Sequence, residues 1–273
     1  MTRLVQQDVV GITCQLNRYD QELEQKTGMT LRQIACSAAG ISEDEFMNAA
    51  VRNTVAVIPV TTGEGVIPCF VQVVQGIACH LGVQAFETTE SDVAGMAEGV
   101  SRGAHILLMA DDSRFIALNT HTGTVADNNV ATARGFVAAL SGMAGGLKDR
   151  EVLVLGAGVV GREILKYLKL LEARAAVFDV DPTKTRDFEG DPAVTVELKR
   201  GSALARYRYL IDATPQGNFL LASDLHPGVM MALPGVPLGL TLESCEILKG
   251  RYVHDPLQIG VAVMLALAVK KKS

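Results

Sequence analysis

The chain has no tryptophan, and aromatic residues make up only 5% of its 273 positions. Because hydrophobic residues still account for 48%, the core must consist mainly of Val, Leu, Ile and Ala, which is typical of parallel α/β proteins. The five cysteines include no CxxC pair, and the five histidines have no metal-ligand spacing, so we expect no bound metal. An odd number of cysteines without a signal peptide indicates reduced thiols and a cytoplasmic location.

Long apolar runs and basic runs are also missing. The longest late apolar stretch, residues 259–269, is too short to span a bilayer. The net charge of −5 gives no reason to expect nucleic acid as a partner. A length of 273 residues suits one large or two small domains with a sizeable core. These absences favour a soluble protein, and a homodimer is the default assembly only because dimers are the commonest.

A glycine-rich segment near the middle of the chain is its most informative feature. Residues 150–168 read REVLVLGAGVVGREILKYL, which predicts a strand, a turn with three spaced glycines and a helix. In such a unit the first glycine permits the tight turn, and the second lets the backbone approach a pyrophosphate. The third lets the helix lie close to the strand, while the helix N-terminus offers free N–H groups to the phosphates. The residues expected at a dinucleotide are Gly156, Ala157, Gly158, Val159, Val160 and Gly161.

An acidic residue ends the strand-like segment that follows. Asp179 lies 18 residues after Gly161, where a carboxylate can accept hydrogen bonds from a ribose diol. The alternative is a glycine-rich turn that binds no ligand, which would give no reason for an acid at this position. Because its charge would repel a 2′-phosphate, Asp179 favours NAD over NADP, although Lys184 and Arg186 lie close in sequence.

The pattern of elements predicts an α/β fold. We expect a C-terminal Rossmann-type doubly wound sheet and an N-terminal lobe of helices and βα units with a mostly parallel sheet. Residues 1–52 are predicted as a helical segment, residues 53–148 as an α/β substrate lobe with a bridging helix, and residues 149–273 as a Rossmann lobe with the C-terminal helix. Strands of the Rossmann lobe are expected near residues 151–155, 175–179, 208–212 and 229–233.

Ligands of parallel sheets bind beyond the carboxyl ends of the strands, which selects further candidates. In the Rossmann lobe, Thr214, Pro215 and Pro234 follow two predicted strands and are expected to border the nicotinamide. The alternative is that Pro and Gly only stop these strands. In the first lobe, Asp111 and Asp112 close the strand HILLMADD, and Asp111 is preferred because it stands nearer the strand end.

Three other polar groups are candidates, each with a structural alternative. The turn around Thr62 has hydroxyls and N–H groups that suit a carboxylate, or it is an ordinary turn of hydroxyl residues. Asn119, Asn128 and the neighbouring Asn129 flank the bridging helix and can donate to a substrate, although asparagine is also common in loops. His254 is the one histidine considered as a proton carrier.

With these residues assembled, the chain resembles the pyrrolysine synthases, NAD-dependent dehydrogenases of the last step of pyrrolysine biosynthesis. The likeness covers nearly the whole chain, and LMADD together with VTTGEGVI is more specific than the glycine turn. It is strongest in IPVTTGEGVI (58–67), GAHILLMADDSRFIALN (103–119), ADNN (126–129), the glycine turn, IDATP (211–215), PGVP (234–237) and DPLQIG (255–260). The chain departs from the family pattern after ADNN and at His254, where the family has an acid.

The resemblance implies a substrate, a reaction and site residues. The substrate would be lysine whose ε-nitrogen is acylated by 3-methyl-D-ornithine. Hydride would pass to NAD from the carbon bearing the terminal amine, and the imine would lose ammonia as the ornithine α-amine closes the pyrroline ring. The family pattern carries onto Asp111 as the acid that faces substrate, Thr62 as a pocket residue and Leu4 as a residue that closes over the pocket. Asn128 is included in the expected substrate site, and the N-terminal helices are a candidate lid.

Two other functions compete with this one. A shikimate or methylene-tetrahydrofolate dehydrogenase shares the two-lobed plan, but the lysine that pairs with an Asp in the shikimate enzymes is missing between residues 59 and 68. A protein that senses NAD without chemistry would bind the dinucleotide and turn over no amine or alcohol. A panel of substrates measured by NADH release distinguishes these functions.

Overall fold

The structure is a computed structural model that describes residues 4–270. It divides into two compact units. Unit 1 comprises Met1–Glu22, Thr30–Ala131 and Leu257–Ser273, and unit 2 comprises Leu23–Met29 and Thr132–Pro256.

Four helices open the described part of the chain. They are α1 (Gln6–Val9), α2 (Ile12–Thr27), α3 (Leu31–Ala39) and α4 (Glu43–Ala50). Gly28 and Gly40 follow α2 and α3 with φ of 72° and 68°, a left-handed backbone that favours glycine at a helix end. Ser42 and Glu45 form a capping box at the start of α4, a pattern that the sequence carries at this spacing.

The sheet of unit 1 has five strands in the order β2-β1-β3-β4-β5. The strands are β1 (Thr54–Ile58), β2 (Gln84–Glu87), β3 (Ile106–Ala110), β4 (Phe115–Asn119) and β5 (Thr124–Asp127). Helices α5 (Phe70–His80) and α6 (Asp92–Ser101) connect the first three strands, which are parallel. The last two pairings are antiparallel, so the sheet is mixed rather than mostly parallel. β5 was not expected, because a four-residue strand gives little periodic signal.

The last helix, α11 (Gln258–Val269), belongs to the core of unit 1. It packs against α3, α5, β4 and β5, and its apolar residues are almost all buried, which explains why it is hydrophobic on every side. Asn119 donates from Nδ2 to the carbonyl of Ala268 at 2.9 Å, and Lys270 donates from Nζ to the carbonyl of Ala39 at 2.8 Å. The structure therefore groups this helix with the first sheet, where the sequence pattern had grouped it with the Rossmann lobe.

Unit 2 is built on a six-stranded parallel sheet in the order β11-β10-β9-β6-β7-β8. The strands are β6 (Glu151–Leu155), β7 (Arg174–Phe178), β8 (Val194–Val196), β9 (Tyr209–Asp212), β10 (Met230–Ala232) and β11 (Tyr252–Val253). Its helices are α8 (Val159–Leu170), α9 (Arg200–Arg206), α10 (Leu242–Ile247) and most of α7 (Asn128–Ala144). Two short 3-10 helices, Pro182–Phe188 and Ala222–Asp224, lie in its connections. The predicted α/β class and Rossmann-type sheet are confirmed, while the short strands β8 and β11 were not expected.

None of the helices within residues 4–270 is both long and apolar enough to cross a membrane.

Candidate functional site

The glycine turn after β6 has the close packing that its sequence predicts. Gly156 has a φ of 90°, and its N–H donates to the carbonyl of Phe178 at 2.8 Å. A Cβ on Gly161 would lie 1.9 Å from the carbonyl oxygen of Gly156, so only glycine lets α8 lie this close to the turn. Any side chain at Gly161 would force the helix away from the strand.

The N-terminus of α8 is open for a ligand. Gly158 is the N-cap, and a Cβ there would meet no atom within 4 Å. Val159 is 65% exposed, Val160 is half-buried and Ala157 is buried. Within residues 4–270, the N-cap Gly158 makes no side-chain capping hydrogen bond, so the first N–H groups of this helix suit phosphate oxygens. These observations fit a dinucleotide pyrophosphate.

Asp179 lies one residue beyond β7 and reaches back to the glycine turn. Its Oδ2 accepts from the N–H of Ala157 at 2.8 Å, and its Oδ1 accepts from the N–H of Asp181 at 2.9 Å. Each carboxylate oxygen can accept more than one hydrogen bond, so this half-buried group can still receive a ribose hydroxyl. Asp179, which is expected to bind the ribose, therefore also stabilises the glycine turn that is expected to bind the phosphates.

Arg162 was not singled out from the sequence, yet it ties two segments of this site together. Its guanidinium donates to the carbonyl of Ala157 at 3.2 Å, to the carbonyl of Lys184 at 2.8 Å and to the carboxylate of Asp187 at 2.8 Å. It also lies over the ring of Phe188, 5.2 Å from the centroid. Arg162 therefore fastens the 3-10 helix after Asp179 to the glycine turn. Its position directly after the third glycine was the available signal.

The carboxyl ends of β6, β9 and β10 bring the other predicted cofactor residues together. β9 pairs with both β6 and β10, and a Cβ on Gly156 would lie 3.2 Å from Cγ2 of Thr214. Thr214 and Pro234 are half-buried, whereas Pro215 is exposed. A Cβ on Gly235 would lie 2.3 Å from the carbonyl oxygen of Thr214, so the turns after β9 and β10 touch.

Asp212, the last residue of β9, is a buried acid that sequence reasoning did not weigh separately. It is fully buried, and its Oδ1 accepts from the N–H of Thr214 at 3.0 Å and from its hydroxyl at 2.7 Å. Its Oδ2 has no hydrogen-bond partner within the described chain. Burial raises the pKa of this carboxyl to about 6, against the effect of the Thr214 hydrogen bonds. Asp212 thus anchors the Thr214 turn from inside the protein.

Asp111 follows β3 at the start of the tight turn to β4, and it is exposed. Its Oδ1 accepts from the N–H groups of Ser113 and Arg114, both at 2.7 Å. These hydrogen bonds, that of Arg114 first, hold the pKa of the Asp111 carboxyl below its ordinary value. These hydrogen bonds therefore favour the ionised carboxylate, which suits a contact with a cation such as an ammonium.

The turn carrying Thr62 lies beyond β1 and is exposed. Two of its N–H groups, those of Thr61 and Glu64, already donate to carboxylates of this chain at 2.8 and 2.9 Å. The turn therefore has fewer N–H groups available for a substrate carboxylate than its sequence indicates. The exposed side chain of Thr62 is the group that it offers.

The remaining sequence candidates lie in different surroundings. Leu4 precedes α1 and is partly exposed, and Asn128 is the half-buried first residue of α7. Asn119 is buried and bonded through both its amide nitrogen and its Oδ1, so its role is structural. His254 is half-buried, and its Nδ1 lies 2.7 Å from the carbonyl oxygen of Leu233.

Unit 2 thus has the features of the NAD(P)-binding domain of a dehydrogenase: a parallel sheet, a glycine turn, an open helix N-terminus and an acid beyond the next strand. Comparisons with known proteins agree. Residues 122–214 match the family model of the alanine dehydrogenase/PNT C-terminal domain, and residues 8–126 match that of the pyrrolysine biosynthesis protein PylD, N-terminal domain.

The whole chain is similar to two pyrrolysine synthases. The enzyme of Methanosarcina acetivorans is 28% identical over 97% of this chain and 98% of its own length. That of Methanosarcina barkeri is also 28% identical, over 97% of both chains. The resemblance seen in the sequence motifs is thereby confirmed. The chain is an oxidoreductase that acts on a small molecule.

Solved structures share the fold. A quinate dehydrogenase from Corynebacterium glutamicum in complex with NAD has a TM-score of 0.53 and 14% identity, covering 80% of this chain and 93% of its own. A shikimate 5-dehydrogenase from Thermus thermophilus in complex with NADP(H) and shikimate has a TM-score of 0.52 and 17% identity, covering 79% and 91%. At these identities the likeness supports the architecture and not a shared substrate.

Proposed function

We propose that this chain oxidises 3-methyl-D-ornithyl-N6-L-lysine with NAD and closes it to pyrrolysine. The observation that carries the proposal is the similarity to two pyrrolysine synthases over 97% of the chain. In this reaction the carbon bearing the terminal amine loses a hydride and becomes an imine. The substrate's own α-amine then attacks this carbon, ammonia leaves, and the five-membered ring forms.

The residues of unit 2 fit NAD. We assign the pyrophosphate to the N–H groups at Gly158–Gly161 and the adenosine ribose to Asp179. Thr214, Pro215 and Pro234 are assigned to the nicotinamide end, because the carboxyl ends of β6, β9 and β10 lie side by side. NAD is favoured over NADP because the Asp179 carboxylate would repel a 2′-phosphate. When bound, the cofactor accepts the hydride.

The protein's contribution to the chemistry begins with the charge of the substrate amine. Hydride can leave only from a carbon whose amine is neutral, yet an alkylammonium has a pKa of about 10. An ionised Asp111 binds and orients the ammonium form, and this contact favours the charged state. Removal from water favours the neutral amine, so we assign the proton to water and the orientation of the amine to Asp111. Thr62, Leu4 and Asn128 are proposed to line the same substrate site.

The direct test is anaerobic incubation of the protein with NAD and the lysine–methylornithine conjugate. We expect NADH absorbance to rise, and mass spectrometry should detect pyrrolysine and one equivalent of ammonia. Shikimate, quinate and methylene-tetrahydrofolate serve as control substrates. Formation of NADH with one of these and not with the conjugate would contradict the proposed function.

A further inference from the structure

We propose that Asp92 and Asp112 are positioning residues that fix the Thr62 loop, defined here as residues 59–65. The inference rests on the proposed function, in which Thr62 contacts the substrate. It adds two residues outside the predicted site and gives each a separate task. Both would act through the loop and not through contact with the substrate.

The order of the strands places these acids on either side of the loop. β1 lies between β2 and β3, and all three strands are parallel. The Thr62 loop follows β1, Asp92 follows β2, and Asp112 follows β3. Because the carboxyl ends of parallel strands meet at one edge of a sheet, each neighbouring connection can reach the central loop.

Asp92 holds the first half of the loop. Its Oδ1 accepts from the N–H of Thr61 at 2.8 Å, and its Oδ2 accepts from the Thr61 hydroxyl at 2.5 Å. Its own N–H donates to the carbonyl of Pro59 at 2.9 Å. The Thr61 hydrogen bonds, that of the hydroxyl first, hold the pKa of the Asp92 carboxyl below its ordinary value. The carboxylate form of Asp92 is therefore favoured, and hydrogen bonds to a charged acceptor are stronger than those to a neutral one.

Asp112 holds the second half. Its Oδ2 accepts from the N–H of Glu64 at 2.9 Å, and a Cβ on Gly63 would lie 1.9 Å from the same oxygen. Gly63 also has a φ of 75°, a left-handed backbone that favours glycine, and a side chain there would require the Asp112 carboxylate to shift. Asp112 thus occupies the space that any side chain at position 63 would need.

These contacts matter because packing does not hold the loop. Thr61, Thr62, Gly63 and Glu64 are all exposed, so burial contributes little to their order. Thr62 stands between one residue bonded to Asp92 and another bonded to Asp112. A loop fixed before substrate arrives loses less conformational entropy on binding, and its hydroxyl is held in one place.

The test measures kcat and KM for the conjugate in the full chain, together with the Kd for NAD and the melting temperature. For Asp112→Ala we expect KM to rise about tenfold, as for loss of a hydrogen bond to a charged group, with the Kd for NAD within twofold of the wild type. Asp112→Asn keeps an oxygen that can accept from the N–H of Glu64, so its KM should lie much closer to the wild-type value. Asp44→Ala, which removes an exposed acid on α4, is the matched control and should change nothing.

A double-mutant cycle separates positioning from other roles. If Asp112 acts through Thr62, Asp112→Ala should cost much less in a Thr62→Ala background than alone. The positioning role would be overturned if the effects of Asp112→Ala and Thr62→Ala on KM were additive, or if KM were unchanged in Asp112→Ala. It would also be overturned if Asp112→Ala weakened NAD binding and lowered the melting temperature along with its effect on KM, because that would indicate a general loss of structure. A wild-type protein that forms no pyrrolysine contradicts the proposed function itself, and the positioning role with it.

Discussion

Replacing Asp212 by asparagine should change how the stability of the protein depends on pH. The carboxyl is fully buried, and its pKa is about 6 in the folded protein against an ordinary value of 3.8. Since one pKa unit corresponds to about 1.4 kcal/mol, the ionised group costs the folded state roughly 3 kcal/mol. The folded state holds the proton more tightly than the unfolded one between these two values. The free energy of unfolding therefore falls as the pH rises from about 4 to about 6, and it is level above that.

Asp212→Asn removes this ionisation while leaving an oxygen that can accept from Thr214. As the pH rises from 4 to 7.5, we expect the free energy of unfolding of the variant to increase by roughly 3 kcal/mol relative to that of the wild type. Urea unfolding followed by tyrosine fluorescence measures the change. The chain has no tryptophan and five tyrosines, and only Tyr19 lies outside unit 2, so the signal reports mainly on the unit that contains Asp212.

The control for this experiment is Asp224→Asn, which changes an exposed acid in the same unit. It should leave the pH dependence of unfolding as in the wild type. A parallel pH dependence for Asp212→Asn and the wild type would refute the reasoning, because it would mean that the buried carboxyl does not titrate between pH 4 and pH 6.

Three further predictions concern the proposed reaction. Asp111→Ala should lower kcat/KM for the conjugate by roughly 10- to 100-fold, as for loss of a charged hydrogen bond, with NAD affinity within twofold; Asp111→Asn, which keeps the turn but not the charge, should be almost as impaired. Equal activity of the Asn variant and the wild type would argue against an ammonium contact. Arg162→Ala should weaken NAD binding about tenfold in calorimetry, because the carbonyl of Ala157 loses the hydrogen bond that holds the glycine turn. Lys166→Ala, which changes an exposed residue of the same helix, should leave NAD binding unchanged. Asp179→Ala should raise kcat/KM with NADP relative to NAD, and an unchanged ratio would count against its assigned contact with the ribose.

Much of the fold could be predicted because local patterns and packing agree. The glycines that end α2 and α3, the capping box of α4 and the strand–turn–helix at β6 all carry their own signal. The edge strands β8 and β11 could not be predicted, since strands of three and two residues have no readable period. The antiparallel pairing of β3 with β4 departs from the mostly parallel sheet that the βα pattern predicts, because the four residues between them leave room only for a tight turn and not for a crossover helix.

The site was predicted unevenly for a related reason. Sequence spacing selects residues by their position along the chain, such as Gly161, whose closeness to Gly156 the structure shows, and Asp179, whose contact with a ribose stays a prediction. Spacing does not find contacts between segments that are distant in sequence. Examples are the closeness of the Asp112 carboxylate to Gly63 and the hydrogen bond from Arg162 to the carbonyl of Lys184. Nor does it find the burial of Asp212, since an acid at a strand end is usually solvated.

The position of α11 makes unit 1 depend on the last segment of the chain that the structure describes. Its residues complete the interior of unit 1, although Thr132–Pro256 of unit 2 precede them in the sequence. Without this helix the five-stranded sheet would have an uncovered apolar surface, whereas the six-stranded sheet would keep all of its strands. A chain truncated after Pro256 should accordingly keep unit 2 protected from proteolysis and leave residues 30–131 sensitive.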